Sequence, residues 1–234
     1  KSNRTALYRS YATTYAYDTA NNRTTKQVTG GTEPGLWSYV YNAANQLTSW
    51  ERSLEGTPVK TAALTYDAAG NRLTQSTTDF SPSGGGSPVV QSTLYTWDAQ
   101  DRLASVTMPD GSEHAYKYDY RTRRISTTEG TAPGVPTKAT AILFAGGLSL
   151  AEWEVAGSVP AMANTPTVEY TRGPDMGGGV GGMLYSLRSG AAKYSLSNGR
   201  GDIVAQADQT ASLTWTASYE AYGKRTKETG TNQD

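Results

Sequence analysis

Leu64-Thr65-Tyr66-Asp67-Ala68-Ala69-Gly70-Asn71-Arg72-Leu73-Thr74 is the stretch whose reading decides the fold. Leu64 and Tyr66 alternate with Thr65 and Asp67, the period of a half-buried strand. An aspartate at this point accepts hydrogen bonds from the backbone ahead of it and starts a turn. Gly70 supplies the positive φ that closes such a turn. Arg72, Leu73 and Thr74 then open a return strand. The stretch therefore reads as one β-hairpin. A lone hairpin is marginal in water, so its stability requires neighbours of the same kind.

Working outward, the neighbours are present. The pattern aromatic–x–aromatic–Asp/Asn recurs at Tyr15-Ala16-Tyr17-Asp18, Tyr39-Val40-Tyr41-Asn42, Tyr95-Thr96-Trp97-Asp98 and Tyr116-Lys117-Tyr118-Asp119. The last aromatic of each advances from residue 17 to 41, 66, 97 and 118. The long step from 66 to 97 contains Ser81-Pro82-Ser83-Gly84-Gly85-Gly86-Ser87-Pro88, a composition that reads as an inserted flexible loop. Recurrence at such a period marks a repeat architecture. The return strands suggest two turn lengths: Leu47 and Leu103 fall six residues after Tyr41 and Trp97, whereas Leu73 and Ile125 fall seven after Tyr66 and Tyr118. One extra residue flips every following side chain, so a β-bulge is expected in the longer units.

Composition suits this reading. The chain has 234 residues, 36% of them hydrophobic, with 16 Tyr and 5 Trp against 2 Phe, and a mean hydropathy of -0.57. Tyrosine and tryptophan fit sheet faces that are dry at one end and wet at the other. Lys and Arg number 21, as do Asp and Glu. This balance argues against a nucleic-acid partner, which calls for a basic excess. Cysteine is absent, which removes disulfides, thiolate nucleophiles and cysteine metal sites. No apolar run reaches the roughly 20 residues of a membrane span. The chain opens on Lys1 rather than Met, and is expected to be part of something longer.

These motifs resemble the RHS/YD-repeat family, which includes bacterial Rhs toxins, the C component of insecticidal toxin complexes and the teneurins. Tyr66 to Leu73 is similar to a family repeat. Tyr170-Thr171-Arg172-Gly173-Pro174-Asp175-Met176, with Gly177 to Gly179 and Val180-Gly181-Gly182-Met183-Leu184, resembles the glycine-rich signature of the family's core region. Asn198-Gly199-Arg200-Gly201-Asp202-Ile203-Val204 and Tyr219-Glu220-Ala221-Tyr222-Gly223 resemble the repeats that follow it. The resemblance implies an all-β fold of tandem YD-repeat hairpins in a spiralling sheet, part of a hollow cocoon. It implies partners in the rest of the parent chain and in an enclosed C-terminal toxin, with delivery-system proteins or surface glycans as further candidates. Many members separate toxin from shell at an aspartyl protease motif; this chain, ending at Asp234, is expected to stop short of it.

Other chemistry finds little footing in the residues. Gly177, Gly179 and Gly182 with Asp202 match a dinucleotide fingerprint on paper, but Met183 to Leu187 reads as a strand where a helix is needed. His114 is the single histidine; it excludes a multi-histidine zinc site, lacks a G-x-S-x-G elbow for a triad, and follows Pro109-Asp110-Gly111-Ser112 as an exposed hairpin residue. Asp18, Asp67, Asp98 and Asp119 read as turn formers, without calcium-loop spacing. Arg200-Gly201-Asp202 reads as a turn before it reads as an integrin motif. Trp37, Trp50, Trp97, Trp153 and Trp215 read as sheet packing before sugar platforms.

Residues 1–138 read as tandem hairpins, and 139–234 as core-like hairpins continuous with the same sheet; Ile142 to Phe144 and Leu148 to Trp153 pair around Gly146-Gly147, and Ala156 to Pro166 is a loop. The repeat signature comprises Tyr17, Asp18, Tyr41, Asn42, Tyr66, Asp67, Gly70, Trp97, Asp98, Tyr118, Asp119, Gly173, Asp175, Gly199, Gly201, Tyr222 and Gly223. The expected function is a non-enzymatic structural shell segment of a secreted or cell-surface bacterial protein that encapsulates a toxin, the alternative being an adhesion or carbohydrate-binding module. No cofactor, metal or catalytic residue is expected, and no membrane span in this segment.

Overall fold

A computed structural model describes residues 12–30, 33–80, 86–158, 162, 165–173, 182–220 and 223–230. The described residues form eighteen strands and no helix; no helix is therefore long and apolar enough to cross a membrane. Among the described residues the strand pairings are antiparallel, between strands that follow one another in sequence. The chain is all-β, as the hairpin pattern predicts.

Two compact units divide between Ser112 and Glu113. The boundary at 138/139 drawn from the sequence lies inside a single strand, Val135–Ala145. The first unit is a meander of β1 (Ala12–Tyr17), β2 (Arg23–Thr29), β3 (Gly35–Tyr41), β4 (Leu47–Leu54), β5 (Thr57–Tyr66), β6 (Arg72–Asp79), β7 (Val89–Trp97) and β8 (Leu103–Thr107). The second is a meander of β9 (Glu113–Tyr118), β10 (Arg124–Ala132), β11 (Val135–Ala145), β12 (Leu148–Ala156), β13 (Val168–Arg172), β14 (Met183–Arg188), β15 (Ala191–Ser197), β16 (Ile203–Asp208), β17 (Leu213–Tyr219) and β18 (Arg225–Gly230). The pairing of β11 with β12 spans Gly146-Gly147 as expected.

The register corrects the expectation of two turn lengths. Tyr17 pairs with Arg23, Tyr41 with Leu47, Tyr66 with Arg72, Trp97 with Leu103 and Tyr118 with Arg124. Each partner lies six residues on, so there is one turn length. A bulge accompanies it in every one of these hairpins, not in some of them. The slot opposite the aromatic accepts Arg as readily as Leu, because a long arginine stem covers a ring as an aliphatic chain does. Leu73 and Ile125 instead fall beside the bulge and are 39% and 38% exposed.

Side chains alternate across the sheet, and the register sorts them. In the first unit one face carries Tyr15, Lys26, Trp37, Tyr39, Tyr41, Trp50, Arg52, Lys60, Leu64, Tyr66, Arg72, Tyr95 and Trp97. Its buried members are Lys26, Val28, Ala62 and Leu64. The other face is small and hydroxylated, with the cross-strand pairs Thr65–Thr74 at 2.6 Å, Ser92–Ser76 at 3.1 Å and Thr96–Ser105 at 2.8 Å. Aliphatic content is too low for a thick core; aromatic rings and arginine stems lying over small residues do the covering. In the second unit Ala141, Ala151 and Trp153 form the buried apolar cluster, and Val168, Gln206 and Trp215 are almost fully buried.

Candidate functional site

The recurring turn is the most densely organised feature of the molecule. In the hairpin at Asp67, the Asp67 N–H donates to Asn71 O at 2.9 Å and Gly70 N–H returns to Asp67 O at 3.1 Å. Asp67 Oδ1 accepts the Asn71 N–H at 2.8 Å, and Gly70 has φ +96°. A type I turn followed by one left-handed residue gives this three-residue hairpin loop with a bulge. The same frame recurs at Asp18, Asn42, Asp98, Asp119, Asn198, Asp208 and Glu220. The fourth residue of each is left-handed: Asn21, Asn45, Gly70, Asp101, Thr122, Gly201, Ala211 and Gly223. Asn and Asp tolerate that conformation better than most side chains, which accounts for three of these positions and glycine for three more. Gly199 occupies the second position of the Asn198 turn.

Charge at the turns is satisfied locally. Asp98 and Asp119 take the side chains of Arg102 and Arg123, each with Nε at 2.7 Å. Hydrogen bonds hold several aspartates below the ordinary carboxylate range. The largest contribution comes from the Asn22 amide at Asp18, the Arg123 side chain at Asp119, the Asn198 amide at Asp202 and the Thr210 hydroxyl at Asp208. At Asp67 and Asp98 burial pushes the carboxyl up, and the N–H groups of Asn71 and Arg102 with their fellow donors outweigh it. Asp202 is bound into its own turn by Asn198 Nδ2 at 2.9 Å and Arg200 Nη2 at 2.6 Å.

Successive hairpins are tied by the signature aromatics. The ladder between β4 and β5 has its last register pair at Ser49 and Ala63, two residues short of Leu47. The Leu47 carbonyl accepts the Tyr66 hydroxyl at 2.8 Å. The same construction is repeated three times. Tyr41 OH reaches Arg23 O at 3.1 Å, Trp97 Nε1 reaches Arg72 O at 2.8 Å and Tyr219 OH reaches Ile203 O at 2.8 Å. The ladders there have their nearest pairs at Thr25–Ser38, Thr74–Leu94 and Ala205–Thr216. In each case the aromatic of one repeat completes the ladder of the preceding one. Asn22 to Asn45 at 2.9 Å and Asn71 to Asp101 at 2.8 Å add side-chain links between turns.

Tyr17, Tyr41, Tyr66, Trp97 and Tyr118 end their strands, each followed by its turn-forming Asp or Asn. Gly173 N–H donates to Gly182 O at 3.0 Å, closing the base of the glycine-rich segment; Asp175, Gly177, Gly179 and Tyr222 lie outside the described residues. Tyr219 makes the inter-repeat tie of the last hairpin. Tyr219 and the whole Asp208 turn were missing from the expected signature. The signal for them was the spacing: Tyr219 and Arg225 stand six apart, as Tyr66 and Arg72 do. His114, expected as an exposed hairpin residue, is in a hairpin strand but is not exposed. It lies within β9, half-buried and opposite Glu129, with β10 covering its strand.

The described residues bring no three His, Asp or Glu side chains together as a metal site requires. An open cleft of about 290 Å³ is lined by Tyr118, Arg124, Ile142, Phe144, Ser149 and Glu152 among others. Two of its polar groups are already engaged: Glu152 accepts the Tyr170 hydroxyl at 2.9 Å and Ser149 Oγ accepts Arg172 Nη2 at 2.7 Å. Trp153 and Trp215 are buried. The Trp37 ring is flanked by Lys26 Nζ at 4.9 Å and the Arg52 guanidinium at 5.1 Å.

No family model matches the chain. It is 27% identical over 216 residues to the tRNA3(Ser)-specific nuclease WapA of Bacillus spizizenii, and 28% identical over 216 residues to the tRNA nuclease WapA of Bacillus subtilis. The match takes in 91% of this chain but spans only 8% of the length of either relative. Among solved structures, it is similar to the TcdB2-TccC3 crystal structure (13% identity, TM-score 0.42) and to the Photorhabdus luminescens Tc holotoxin pore (13% identity, TM-score 0.42), covering 95% of this chain and 14% of those chains. The nuclease relatives correct the expectation that the protein is not an enzyme. That expectation rested on the absence of cysteine and the single histidine, and the composition of so short a stretch says nothing of chemistry elsewhere in a parent. The likeness is to large bacterial proteins that carry an enzyme's name.

Proposed function

We propose that this chain is a stretch of repeat shell from a large, exported bacterial toxin of the RHS/YD-repeat kind, and that the shell encloses a toxic C-terminal polypeptide. In this reading the strands continue one spiralling sheet, and the parent carries a nuclease-type activity like that named for its relatives. The observation that carries it is the tie from each signature aromatic to the preceding repeat's carbonyl. It makes each hairpin complete only beside its neighbour, as a wall of indefinite length requires. Enclosure is then a matter of exclusion by a hydrogen-bonded wall. The adhesion reading loses support because Trp37, Trp153 and Trp215 are committed to packing. The test is intact-mass and peptide analysis of the natural protein from its producer. A much longer parent with a cleaved C-terminal fragment that remains associated is the expected result. A mature product without such a fragment would overturn the shell reading.

A further inference from the structure

The cleft of the second unit sets one cation and one carboxylate on either side of an apolar floor. Tyr118 pairs with Arg124 across β9 and β10. The β10–β11 ladder has its last register pair on that side at Ser126 and Ala141, so Ile142 stands next along β11. Ile142 in turn pairs with Glu152 on β12. Arg124, Ile142 and Glu152 thus come from three successive strands and line one cleft, with the Tyr118 and Phe144 rings beside them. Ile142 is buried. The Arg124 guanidinium lies 5.2 Å from the Tyr116 centroid, and no hydrogen bond or ion pair engages it among the described residues. Glu152 accepts the Tyr170 hydroxyl through Oε1 at 2.9 Å, and a carboxylate has a second oxygen for a further donor. Arg172, on the far side of Ser149, directs Nε to the Ser149 carbonyl at 3.0 Å and Nη2 to its hydroxyl at 2.7 Å.

We propose that this cleft binds a free α-amino acid with an apolar side chain, aromatic first. Its two charges select a zwitterion, and their spacing selects which one. Adjacent strands lie about 4.8 Å apart, which sets the Arg124 and Glu152 strands about 10 Å apart. An ion pair at each end takes up to about 4 Å, which leaves about 2 Å for the ligand's own charge separation. The amino nitrogen and carboxyl carbon of an α-amino acid, joined through one Cα, are about 2.5 Å apart. A dipeptide overruns that span. A lone carboxylate would meet Arg124 but face Glu152 across the floor, and a lone amine would meet the reverse. Arg124 presents a planar fork of N–H donors suited to a carboxylate. The ligand's side chain then lies on Ile142 against the Phe144 ring, where an aromatic pair adds to the area buried. The cleft holds about 290 Å³, the small end of ligand sites that run from about 300 to 1,000 Å³. The site belongs to the second unit alone and holds whatever the parent protein does.

The experiment is a titration of the full chain with L-phenylalanine, followed by saturation-transfer difference NMR. Phenylpropionate, which lacks the ammonium, and phenethylamine, which lacks the carboxylate, are the comparisons. Phenylalanine is expected to bind with a Kd of roughly 1–10 mM, as so small a ligand allows. Each analogue should bind about tenfold more weakly. Arg124→Gln should weaken phenylalanine about tenfold and leave phenethylamine unchanged, and Glu152→Gln should weaken phenylalanine about threefold without weakening phenylpropionate. Lys117→Gln is the control, being exposed and paired with Ser126 on the opposite face; it should change nothing. Circular dichroism checks each variant's fold, and the exposed Arg124 carries the test where Glu152→Gln disturbs the Tyr170 contact. No binding by about 50 mM phenylalanine, an analogue that binds as well as phenylalanine, or an Arg124→Gln chain that binds it unchanged would each overturn the proposal.

Discussion

Replacing Tyr66 by phenylalanine removes one oxygen and isolates the inter-repeat tie. The ring stays, so the covering of its face is preserved and no large cavity forms. What is lost is the hydrogen bond from the Tyr66 hydroxyl to the Leu47 carbonyl, 2.8 Å long and partly buried. A net hydrogen bond contributes about 0.5–1.5 kcal/mol, and a buried carbonyl left without a donor costs about 1–3 kcal/mol. The Leu47 carbonyl is half-covered, so the expected destabilisation is about 1 kcal/mol. For a chain of this size that corresponds to a fall in melting temperature of roughly 2–4 °C. Urea unfolding followed by tryptophan fluorescence measures it directly, with the midpoint shifting at constant slope. Tyr120→Phe is the internal reference, because Tyr120 is 82% exposed and lies beyond the end of β9; it should be neutral. Tyr41→Phe and Tyr66→Phe address different carbonyls in successive repeats, so their effects should approximately add. Amide exchange should also rise at the β4–β5 end of the ladder before the rest of the unit opens. A neutral Tyr66→Phe, or one indistinguishable from Tyr120→Phe, would refute the claim that these aromatics complete the ladder.

Three further outcomes follow from the same frame. The folded carboxyls of Asp18, Asp67, Asp98, Asp119, Asp202 and Asp208 are held below their usual range; their contribution is present above the unfolded value near 3.9 and is lost as pH falls through the folded values, so melting temperature should drop below about pH 4 while staying level from there to neutrality. Gly70 has φ +96°, so Gly70→Asn should be close to neutral, as Asn45 is in the sister turn, whereas Gly70→Val should cost about 1–2 kcal/mol in urea unfolding. Trp215 is 2% exposed, and Trp215→Ala should cost about 3–5 kcal/mol, enough to make the second unit melt ahead of the first in calorimetry.

The hairpin, its turn residues and its repetition were legible because each is local. Leu64, Tyr66, Asp67 and Gly70 declare a strand, a turn start and a left-handed closure within seven residues. The turn length was not legible from aliphatic positions, since Leu47 and Leu103 occupy a slot that Arg23, Arg72 and Arg124 fill elsewhere. A reading that treats arginine as purely polar takes Leu73 for the paired residue and inserts an extra position. The ties between repeats were hidden for a different reason. Tyr41 to Arg23 spans 18 residues, Tyr66 to Leu47 spans 19, Trp97 to Arg72 spans 25 and Tyr219 to Ile203 spans 16, so no fixed spacing announces them.

Those unequal spans explain how the repeat tolerates irregular length. Strand pairing is counted from the bulged turn: the nearest ladder pair always lies two residues after the turn's return residue and three before the next aromatic. Every difference in repeat length must then be absorbed at the far ends of the strands. There the chain uses the two-residue turn at Glu55-Gly56, with φ +50° and +81°, in one repeat, and the longer connection from Asp79 to Val89 in another. The Tyr–Asp end is thus the fixed datum of each unit and the opposite end is free to vary. Selection on such a wall should hold the aromatic, the Asp or Asn, and the left-handed residue, and leave strand length open. The irregular steps from 17 to 41, 66, 97 and 118 follow from that division.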